Sequence, residues 1–274
     1  MNSIQTYSSK KNMIMFSKVQ KPIIAMLYLP AGIDHQNHLG LNESFCAILS
    51  DLEKIHQAGF DGICLENEKD SPYKVEAEAH DISFYTLLTR KIVENSDLPI
   101  GFNYLLNDPK TSLAIAKVCE ASFVRSDYFV DQMIRESDER VMDVYPNDVR
   151  TYRKKIKADN IKFYADVQVK HAKLIKQRPL LESVNESIEF GADGVIVSGS
   201  WTGKAPDLSD LMMLKEKKLS VPVIVGSGFN TENASTILPL CDEVIVGTAI
   251  LDKDGHVNLE RAKALMNRVN ELRS

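Results

Sequence analysis

Cysteine is scarce in this chain of 274 residues, and its spacing excludes the sites that depend on paired thiols. The four cysteines, Cys46, Cys64, Cys119 and Cys241, lie far apart, and no two of them have the C-x-x-C spacing of a thiolate zinc site. A disulfide framework is therefore not expected, and the sequence predicts a protein of a reducing compartment.

Long apolar segments and runs of basic residues are also missing. No segment approaches the length of a membrane span, and residues 1–20 lack the continuous apolar stretch of a signal peptide. The formal net charge is −5, and without a run of Lys or Arg the chain offers no footprint for a nucleic-acid backbone. We therefore predict a cytoplasmic protein with no membrane span and no nucleic-acid partner.

Strand-like and helix-like segments alternate along the chain, of which 44% is hydrophobic. Eight β-rich runs end in polar residues or glycine, and amphipathic segments of helical period lie between them. The runs are residues 21–29, 61–67, 98–105, 121–126, 161–169, 192–200, 221–228 and 242–250. The helical segments include residues 42–58, 109–119, 181–190, 207–217, 231–240 and 258–272. This order predicts an α/β fold, a (β/α)8 TIM barrel.

The chain shows no internal boundary between domains. It has no linker rich in Pro, Gly or Ser and no low-complexity segment. We predict a single barrel domain over residues 21–274, preceded by an N-terminal extension, residues 1–20, that caps the barrel or lies disordered. A homo-oligomer is expected only from the frequency of symmetric assemblies among soluble proteins.

Alternation within the strands predicts which side chains face the barrel interior. Apolar positions pack against the helix ring, so the polar positions between them point inward, where the carboxyl ends of the strands form the mouth. The inward polar set comprises Glu66, Asn103, Arg125, Tyr164, Asp166 and Gln168. These residues either act at the mouth or form a buried ion-pair layer that sets the barrel register. The cost of burying several polar groups favours the first interpretation.

Glycine-rich motifs follow the seventh and eighth strands. Gly226, Ser227 and Gly228 end one run, before a predicted helix start at Thr231 and Asn233, and Gly247 and Thr248 end the next. Glycine lets backbone N–H groups approach an anion, a helix N-terminus adds its dipole, and these two loops form the phosphate site of many barrels. We predict a phosphate cradle at these five residues, with simple tight turns as the alternative.

Six motifs in order resemble the BtpA/SgcQ family. They are GFDGICLENEKDSPY, IGFNYLLND, FYADVQVKHA, DGVIVSGSWTG, VGSGFNTEN and VIVGTAI, and the resemblance extends from Lys21 to about Asn267. It implies a phosphate-binding (β/α)8 barrel similar to enzymes of sugar-phosphate metabolism. The family's cyanobacterial namesake is linked to photosystem I biogenesis, which implies a possible non-catalytic role as an alternative.

Residues of the family motifs are found at corresponding positions. They are Glu66, Asn67, Asp70, Asn103, Asn107, Asp108, Asp166, Lys170, His171, Thr202 and Gly203. Two positions depart from the pattern: Tyr28 stands where members often have His, and Asp127 stands near a usual Asn. These departures predict a different substrate or an altered specificity.

Candidate roles follow from the residue types. Asp166 suits a general base or metal ligand, and Glu66 suits its acid/base partner. Lys170 is either a Schiff-base amine or a surface cation, and His171 is either a general acid or base or an imidazole that donates to the backbone. Asn103 and Arg125 would orient hydroxyls or stabilise an oxyanion. Further candidates for substrate contacts are Asn67, Asn107, Ser198 and Thr202.

No cofactor is implied, and a divalent metal is left open. Asp34, His35 and His38 in the loop after the first strand carry ligand groups, although His-x-x-His in a loop is weak evidence. The leading hypothesis is an enzyme that acts on a phosphorylated sugar or nucleotide-like ester as an isomerase, aldolase or glycosidic hydrolase. The rival is a non-catalytic assembly or regulatory factor that uses the barrel as a scaffold.

Overall fold

The structure, a computed structural model, describes Phe16 and residues 19–274. Most of the predicted N-terminal extension, residues 1–20, lies outside these residues. Phe16 packs at the end of the barrel opposite the mouth, where its ring would lie 2.9 Å from a Cβ placed on Gly62. A side chain at Gly62 would therefore displace this ring.

The strands and helices alternate along the described residues. The strands are β1 (Ile23–Tyr28), β2 (Gly62–Glu66), β3 (Ile100–Asn103), β4 (Phe123–Ser126), β5 (Met133–Arg135), β6 (Val141–Met142), β7 (Lys162–Asp166), β8 (Ala172–Leu174), β9 (Gly194–Val197), β10 (Val223–Val225) and β11 (Glu243–Val246). The helices are α1 (Leu41–Ala58), α2 (Ala79–Glu94), α3 (Pro109–Cys119), α4 (Pro146–Lys155), α5 (Leu180–Glu189), α6 (Leu208–Lys217), α7 (Ala234–Ile237) and α8 (Leu259–Arg273), and a 3-10 turn spans Leu238–Leu240.

Eight parallel strands close into a barrel, in the order β1-β11-β10-β9-β7-β4-β3-β2. Each of these strands lies within one of the eight runs that the sequence predicts, so the (β/α)8 class is confirmed. The chain closes the barrel where β1 pairs with β11, with Ala25 opposite Val246. Consecutive parallel strands leave all eight carboxyl ends at one mouth.

Two apolar layers hold the barrel. The outer layer packs strand residues such as Ile63 and Phe102 against the helices, and the inner layer fills the interior with side chains that include Phe123 and Tyr164. A Cβ on Gly101 would lie 2.1 Å from the Phe123 ring, so only glycine fits opposite this ring. The predicted inward and outward faces of β2, β3 and β4 are therefore correct.

One inward assignment is wrong. Gln168 does not point into the barrel, because β7 ends at Asp166 and Gln168 adopts a positive φ of 47°. Its Nε2 donates to the Arg178 carbonyl and to Ser183 Oγ, both at 3.1 Å, on the helix side. Side chains alternate between the two faces only while the backbone remains a strand, and β7 ends two residues before Gln168.

The chain also forms a small second sheet that the sequence analysis did not identify. Strands β5, β6 and β8 pair antiparallel in the order β6-β5-β8, within the segments that follow β4 and β7. Its inner face, with Met133 and Met142, packs on Leu105 and Leu106 beside the mouth. Strands of two or three residues are too short to give a hydrophobic period.

Among the described helices, none has the length and apolar character that crossing a bilayer requires.

Glu243 is a buried acid inside the barrel, near the end opposite the mouth. Its Oε1 accepts from the Tyr164 hydroxyl at 3.3 Å, while Oε2 is buried and has no partner within the described part of the chain. Burial raises the pKa of Glu243 from 4.5 to about 7. The folded state therefore favours the protonated acid, and the stability of the fold should fall as the pH rises from about 4.5 to about 7.

Glu243→Gln should remove this loss, because glutamine resembles the protonated acid. We expect the free energy of unfolding to rise by at most about 3 kcal/mol above pH 7, and to change little near pH 4.5. Urea unfolding at the two pH values measures the difference, with the exposed Glu216→Gln as the matched control. An equal effect of Glu243→Gln at both pH values would refute the assignment.

Candidate active site at the mouth of the barrel

The floor of the mouth contains a buried ion pair between neighbouring strands. Arg125 at the end of β4 donates from Nε to Asp166 Oδ2 at 2.8 Å and from Nη2 to Oδ1 at 3.1 Å. Ser198, just after β9, donates to the same Oδ1 at 3.2 Å. Burial raises the pKa of Asp166, and the Arg125 guanidinium opposes that rise by favouring the carboxylate. This two-point contact fixes the orientation of the guanidinium.

A second polar group lies beside the first. Asn103 Nδ2 donates to Glu66 Oε1 at 2.8 Å and to Asp127 Oδ1 at 3.1 Å, because β2 and β3 place Glu66 opposite Asn103. Burial raises the pKa of Glu66 to about 8, the charge of Arg125 opposes the rise, and Glu68 and Asp127 add to it. Glu66 therefore carries a proton at neutral pH and can donate it.

A cavity of about 140 Å³ opens above this floor. Its lining includes Met26, Tyr28, Glu66, Arg125, Lys170, Thr202, Gly203 and residues 226–230 and 246–249. The side chain of Lys170 enters from the segment after β7 and forms no salt bridge within the described residues. Its ammonium group is thus available to a ligand. Asp166 does not line the cavity, since its side chain is 0% exposed behind Arg125.

The predicted phosphate residues form the opposite wall. Gly226 and Gly247 face inward, where a Cβ would lie 2.4 Å from Ile196 Cγ2 and 3.3 Å from Met26 Cγ, respectively. Gly228 has a φ of 70°, and a Cβ there would lie 2.1 Å from the backbone nitrogen of Ala205. Glycine at these positions therefore keeps the wall open and allows two loops to touch.

Backbone N–H groups of this wall remain unpaired. Ser227, Gly228, Thr248 and Ala249 line the cavity, and their backbone N–H groups have no acceptor among the residues that the structure describes. The Ser227 side chain is not free, because its Oγ donates to the Lys204 carbonyl at 2.8 Å and accepts from the Gly199 N–H at 3.0 Å. An anion would thus meet the backbone of these loops rather than a hydroxyl of Ser227.

The helix expected after this wall is shorter than the sequence suggests. Its α-helical part, α7, has four residues, and a 3-10 turn of three residues follows. Asn233 accepts from the Asn230 N–H and donates to the Gly228 carbonyl at 2.7 Å, so it shapes the loop rather than presenting a helix end. Pro239 in the following turn lacks an N–H group, which limits regular helix there. The loop backbone, and not a helix dipole, is the feature that suits an anion.

His171 and Thr202 meet at the rim. His171 Nε2 lies 2.8 Å from Thr202 Oγ1, and the Thr202 N–H donates to the same nitrogen at 3.2 Å. Because a backbone N–H can only donate, Nε2 is an acceptor and the imidazole is neutral in this arrangement. This geometry favours a His171 bonded to the backbone over a general acid or base, but the imidazole accepts from a backbone N–H, whereas the sequence analysis expected it to donate.

Two predicted substrate contacts lie away from the cavity. Asn67 is 1% exposed, accepts from the Leu105 N–H at 2.7 Å and donates to Asp70 Oδ2 at 2.9 Å, so its polar atoms are committed to the fold. Asn107 lies outside the cavity lining, and its Nδ2 faces the Asp143 carbonyl at 3.4 Å. Ser198 reaches the site only through Asp166, whereas Thr202 lines the cavity. We leave Asn67 and Asn107 out of the proposed site.

The loop after β1 does not form the suggested metal site. His38 Nδ1 lies 3.0 Å from the Ala31 carbonyl, and its ring packs on Phe84. Asp34 instead groups with His80 and Asp81, but the Lys74 ammonium lies 2.7 Å from Asp34 and 3.2 Å from Asp81. The ammonium of Lys74 therefore already occupies the space between these two acids.

Tyr28 belongs to the site although it is not among the predicted catalytic residues, and Glu68, outside the cavity lining, acts on the site through its charge. Tyr28 ends β1 and lines the cavity, and burial, with Glu66 and Glu68 nearby, raises the pKa of its phenol. Burial also raises the pKa of Glu68. The alternation that directs Ile24 and Met26 inward also directs Tyr28 inward and was a usable signal. Glu68 follows the end of β2, where alternation no longer applies.

Comparison with known sequences shows which proteins this chain resembles. The sequence model of the BtpA family matches residues 19–271. The uncharacterized protein MJ1115 of Methanocaldococcus jannaschii is 35% identical over 272 residues, which cover 94% of this chain and 98% of the relative. The photosystem I biogenesis protein BtpA of Synechocystis is 33% identical over 202 residues, which cover 73% and 69%.

A solved structure gives the same fold at low sequence identity. Phosphoribosyl anthranilate isomerase from Thermus thermophilus superposes on this chain with a TM-score of 0.59 and 12% sequence identity. The superposition covers 92% of this chain and 100% of the isomerase. At this identity the likeness concerns the barrel alone. Any activity has to be argued from the residues at the mouth.

Proposed function

We propose that this chain, which belongs to the BtpA family, is an enzyme that acts on a phosphorylated sugar or a nucleotide-like phosphate ester. One observation carries the proposal: a single cavity has unpaired N–H groups on one wall and Glu66, Arg125 and Lys170 on the other side. The N–H groups suit a phosphate, and the side chains suit proton transfer at the far end of the same molecule.

Glu66 is the proposed general acid. Its raised pKa keeps a proton on the carboxyl at neutral pH, and Asn103 holds Oε1 at 2.8 Å, which fixes the side chain. The proton would pass to a carbonyl or leaving oxygen of the substrate. Arg125, held by Asp166, would stabilise the charge that develops on that oxygen or on its neighbour. Isomerisation, aldol cleavage and glycosidic hydrolysis all use such a donor.

Lys170 completes the cavity as a cation without a salt-bridge partner in the described part of the chain. It lies between the floor and the rim, where it would contact either the phosphate or the reacting end. This position supports a ligand-binding role more strongly than a surface role. A Schiff base at Lys170 would require a free amine, and the structure offers no separate support for one.

A second candidate is an assembly factor. The Synechocystis relative is named a photosystem I biogenesis protein, and a barrel can serve as a binding scaffold. A scaffold, however, gains nothing from a buried protonated acid that opens into a cavity. Glu66, 6% exposed on the cavity floor, therefore favours the enzyme.

Thermal-shift measurements with matched pairs of ligands test the proposal. Sugar phosphates such as ribose 5-phosphate and glucose 6-phosphate should raise the melting temperature, while ribose and glucose should not. A ligand at about 100 times its Kd stabilises the folded protein by about 2.7 kcal/mol. Lys170→Met should reduce the shift, and the exposed Lys176→Met should leave it unchanged.

Two results would contradict the proposal. Equal shifts of the melting temperature with a sugar and with its phosphate would show that the phosphate group does not contribute to binding. Equal losses in Lys170→Met and Lys176→Met would show that the cavity is not where the ligand binds.

A further inference from the structure

The loop between β9 and α6 is tied to the rest of the mouth by hydrogen bonds to His171 and to Ser227. The His171 N–H donates to the Ser200 carbonyl at 3.2 Å, and its Nε2 accepts from the Thr202 N–H at 3.2 Å. The imidazole also packs edge-on against Trp201, with ring centroids 4.9 Å apart. On its other side, the His171 carbonyl accepts from the Glu136 N–H at 2.9 Å, beside the small sheet. His171 thus links the small sheet to this loop.

The fastened loop forms part of the anion wall. Thr202 and Gly203 line the cavity, and a Cβ on Gly203 would lie 3.7 Å from Thr248 Cγ2, across the opening. The Lys204 carbonyl accepts from Ser227 Oγ, so the end of the loop rests on the N–H groups proposed to hold the phosphate. Displacement of the loop would therefore open that wall.

We propose that His171 is a positioning residue that holds the loop of residues 200–205 as a wall of the anion site only while its imidazole is neutral. A proton on Nε2 makes this nitrogen a donor, which keeps the Thr202 hydroxyl, 2.8 Å away, as its acceptor but opposes the Thr202 N–H from which it accepts in the neutral state. Protonation of His171 therefore displaces the backbone at Thr202, which releases this part of the cavity wall and weakens anion binding. The inference rests on the proposed phosphate site, and it adds a control of that site by pH.

Charged groups around His171 set the pH of the release. Burial lowers the pKa of His171, Lys170 and Arg135 lower it further, and Glu136 and Asp127 oppose them. The proton is therefore taken up on the acid side of the usual histidine range. Bound anion adds negative charge beside these groups, so it would favour the imidazolium by simple attraction. Ordinary electrostatics and loop release hence predict opposite effects of acid.

Sulfate is a suitable probe, because its charge does not change over the range in which histidine titrates. Trp201 is the single tryptophan of the chain, so its fluorescence reports on this loop alone. We expect the sulfate affinity, measured by Trp201 fluorescence and by calorimetry, to fall by about fivefold to tenfold between about pH 8 and about pH 5, the effect of losing one hydrogen bond. Without loop release, the affinity should instead rise in acid, as the carboxyls of the site become neutral.

Two variants identify the residue responsible. His171→Gln keeps an acceptor for the Thr202 N–H but takes up no proton, so its sulfate affinity should no longer fall in acid. His56→Gln, on α1 and bonded to Ser96 Oγ at 2.8 Å, is the matched control and should behave as the unmodified chain.

The outcomes separate the two proposals. Sulfate binding that strengthens in acid, or that weakens equally in His171→Gln, would overturn the role of His171 while leaving the anion site intact. No sulfate binding at the mouth at either pH would overturn the anion site, and the role of His171 with it.

Discussion

Asp166→Asn should lower the free energy of unfolding by about 3 kcal/mol or more, because it removes the carboxylate that meets the buried Arg125 guanidinium at two points and leaves more distant partners, Asp127 at 3.5 Å and Glu66 at 3.8 Å. Both oxygens of Asp166 contact the guanidinium, at 2.8 and 3.1 Å, and Arg125 itself is 4% exposed. Asparagine retains the size of the side chain but can return only one acceptor. The arrangement therefore favours a positioning role for Asp166 over the general base that the sequence also allowed.

Urea unfolding of the variant measures this loss. Asp138→Asn, which removes a partner of Arg135 and Arg140 at the surface, is the control and should cost less than about 1 kcal/mol. If Asp166→Asn unfolds normally but turns over a substrate about a hundredfold more slowly, Asp166 is the general base instead. Normal unfolding with full activity would contradict both roles.

Glu66→Gln, in contrast to Asp166→Asn, should lower activity while leaving the stability of the fold nearly unchanged. Glutamine resembles the protonated carboxyl and still accepts from Asn103, so we expect the melting temperature at neutral pH to change little. It has no proton to donate, so kcat on any phosphorylated substrate found by thermal shift should fall by about a hundredfold or more. Ligand binding should persist, because the anion wall is untouched.

The pH dependence gives a second test of Glu66. A general acid works only while protonated, so kcat/KM, which reports the ionisation of the free enzyme, should fall as the pH rises through about 8, the pKa of Glu66. Glu66→Gln should remove this decline along with most of the activity. Glu232→Gln, at an exposed position after the phosphate loop, serves as the control for both measurements. A Glu66→Gln enzyme with the original kcat would exclude Glu66 as the acid.

The sequence predicted the barrel well because eight short β-rich runs alternate with amphipathic helical segments along the chain. Alternation within β2, β3, β4 and β7 correctly directed Glu66, Asn103, Arg125 and Asp166 inward, and glycines 226, 228 and 247 line the wall that we propose for phosphate. Alternation assigns a face, however, and does not show which inward groups pair. Arg125 contacts both oxygens of Asp166 and so separates Asp166 from the cavity. This pairing depends on how the side chains pack across β4 and β7.

Loop residues were harder to assign, since no period constrains them. Asn67 and Asp70 match a family motif, yet they hold the loops after β1, β2 and β3 through contacts with Gly32, Leu105 and one another. In the loop after β1, Asp34 was a candidate metal ligand, but it forms a salt bridge with Lys74, which comes from a later part of the chain. The cytoplasmic location, the homo-oligomer and the extension at residues 1–20 stay predictions.

The position of a bound anion tests the central claim most directly. A crystal structure with phosphate or sulfate should show the ion at the mouth, held by the backbone N–H groups of Ser227, Gly228, Thr248 and Ala249, with Lys170 beside it. These groups share one cavity with Glu66 and Arg125. An ion found reproducibly elsewhere, with these four N–H groups closed on protein acceptors, would contradict a phosphate site in this barrel.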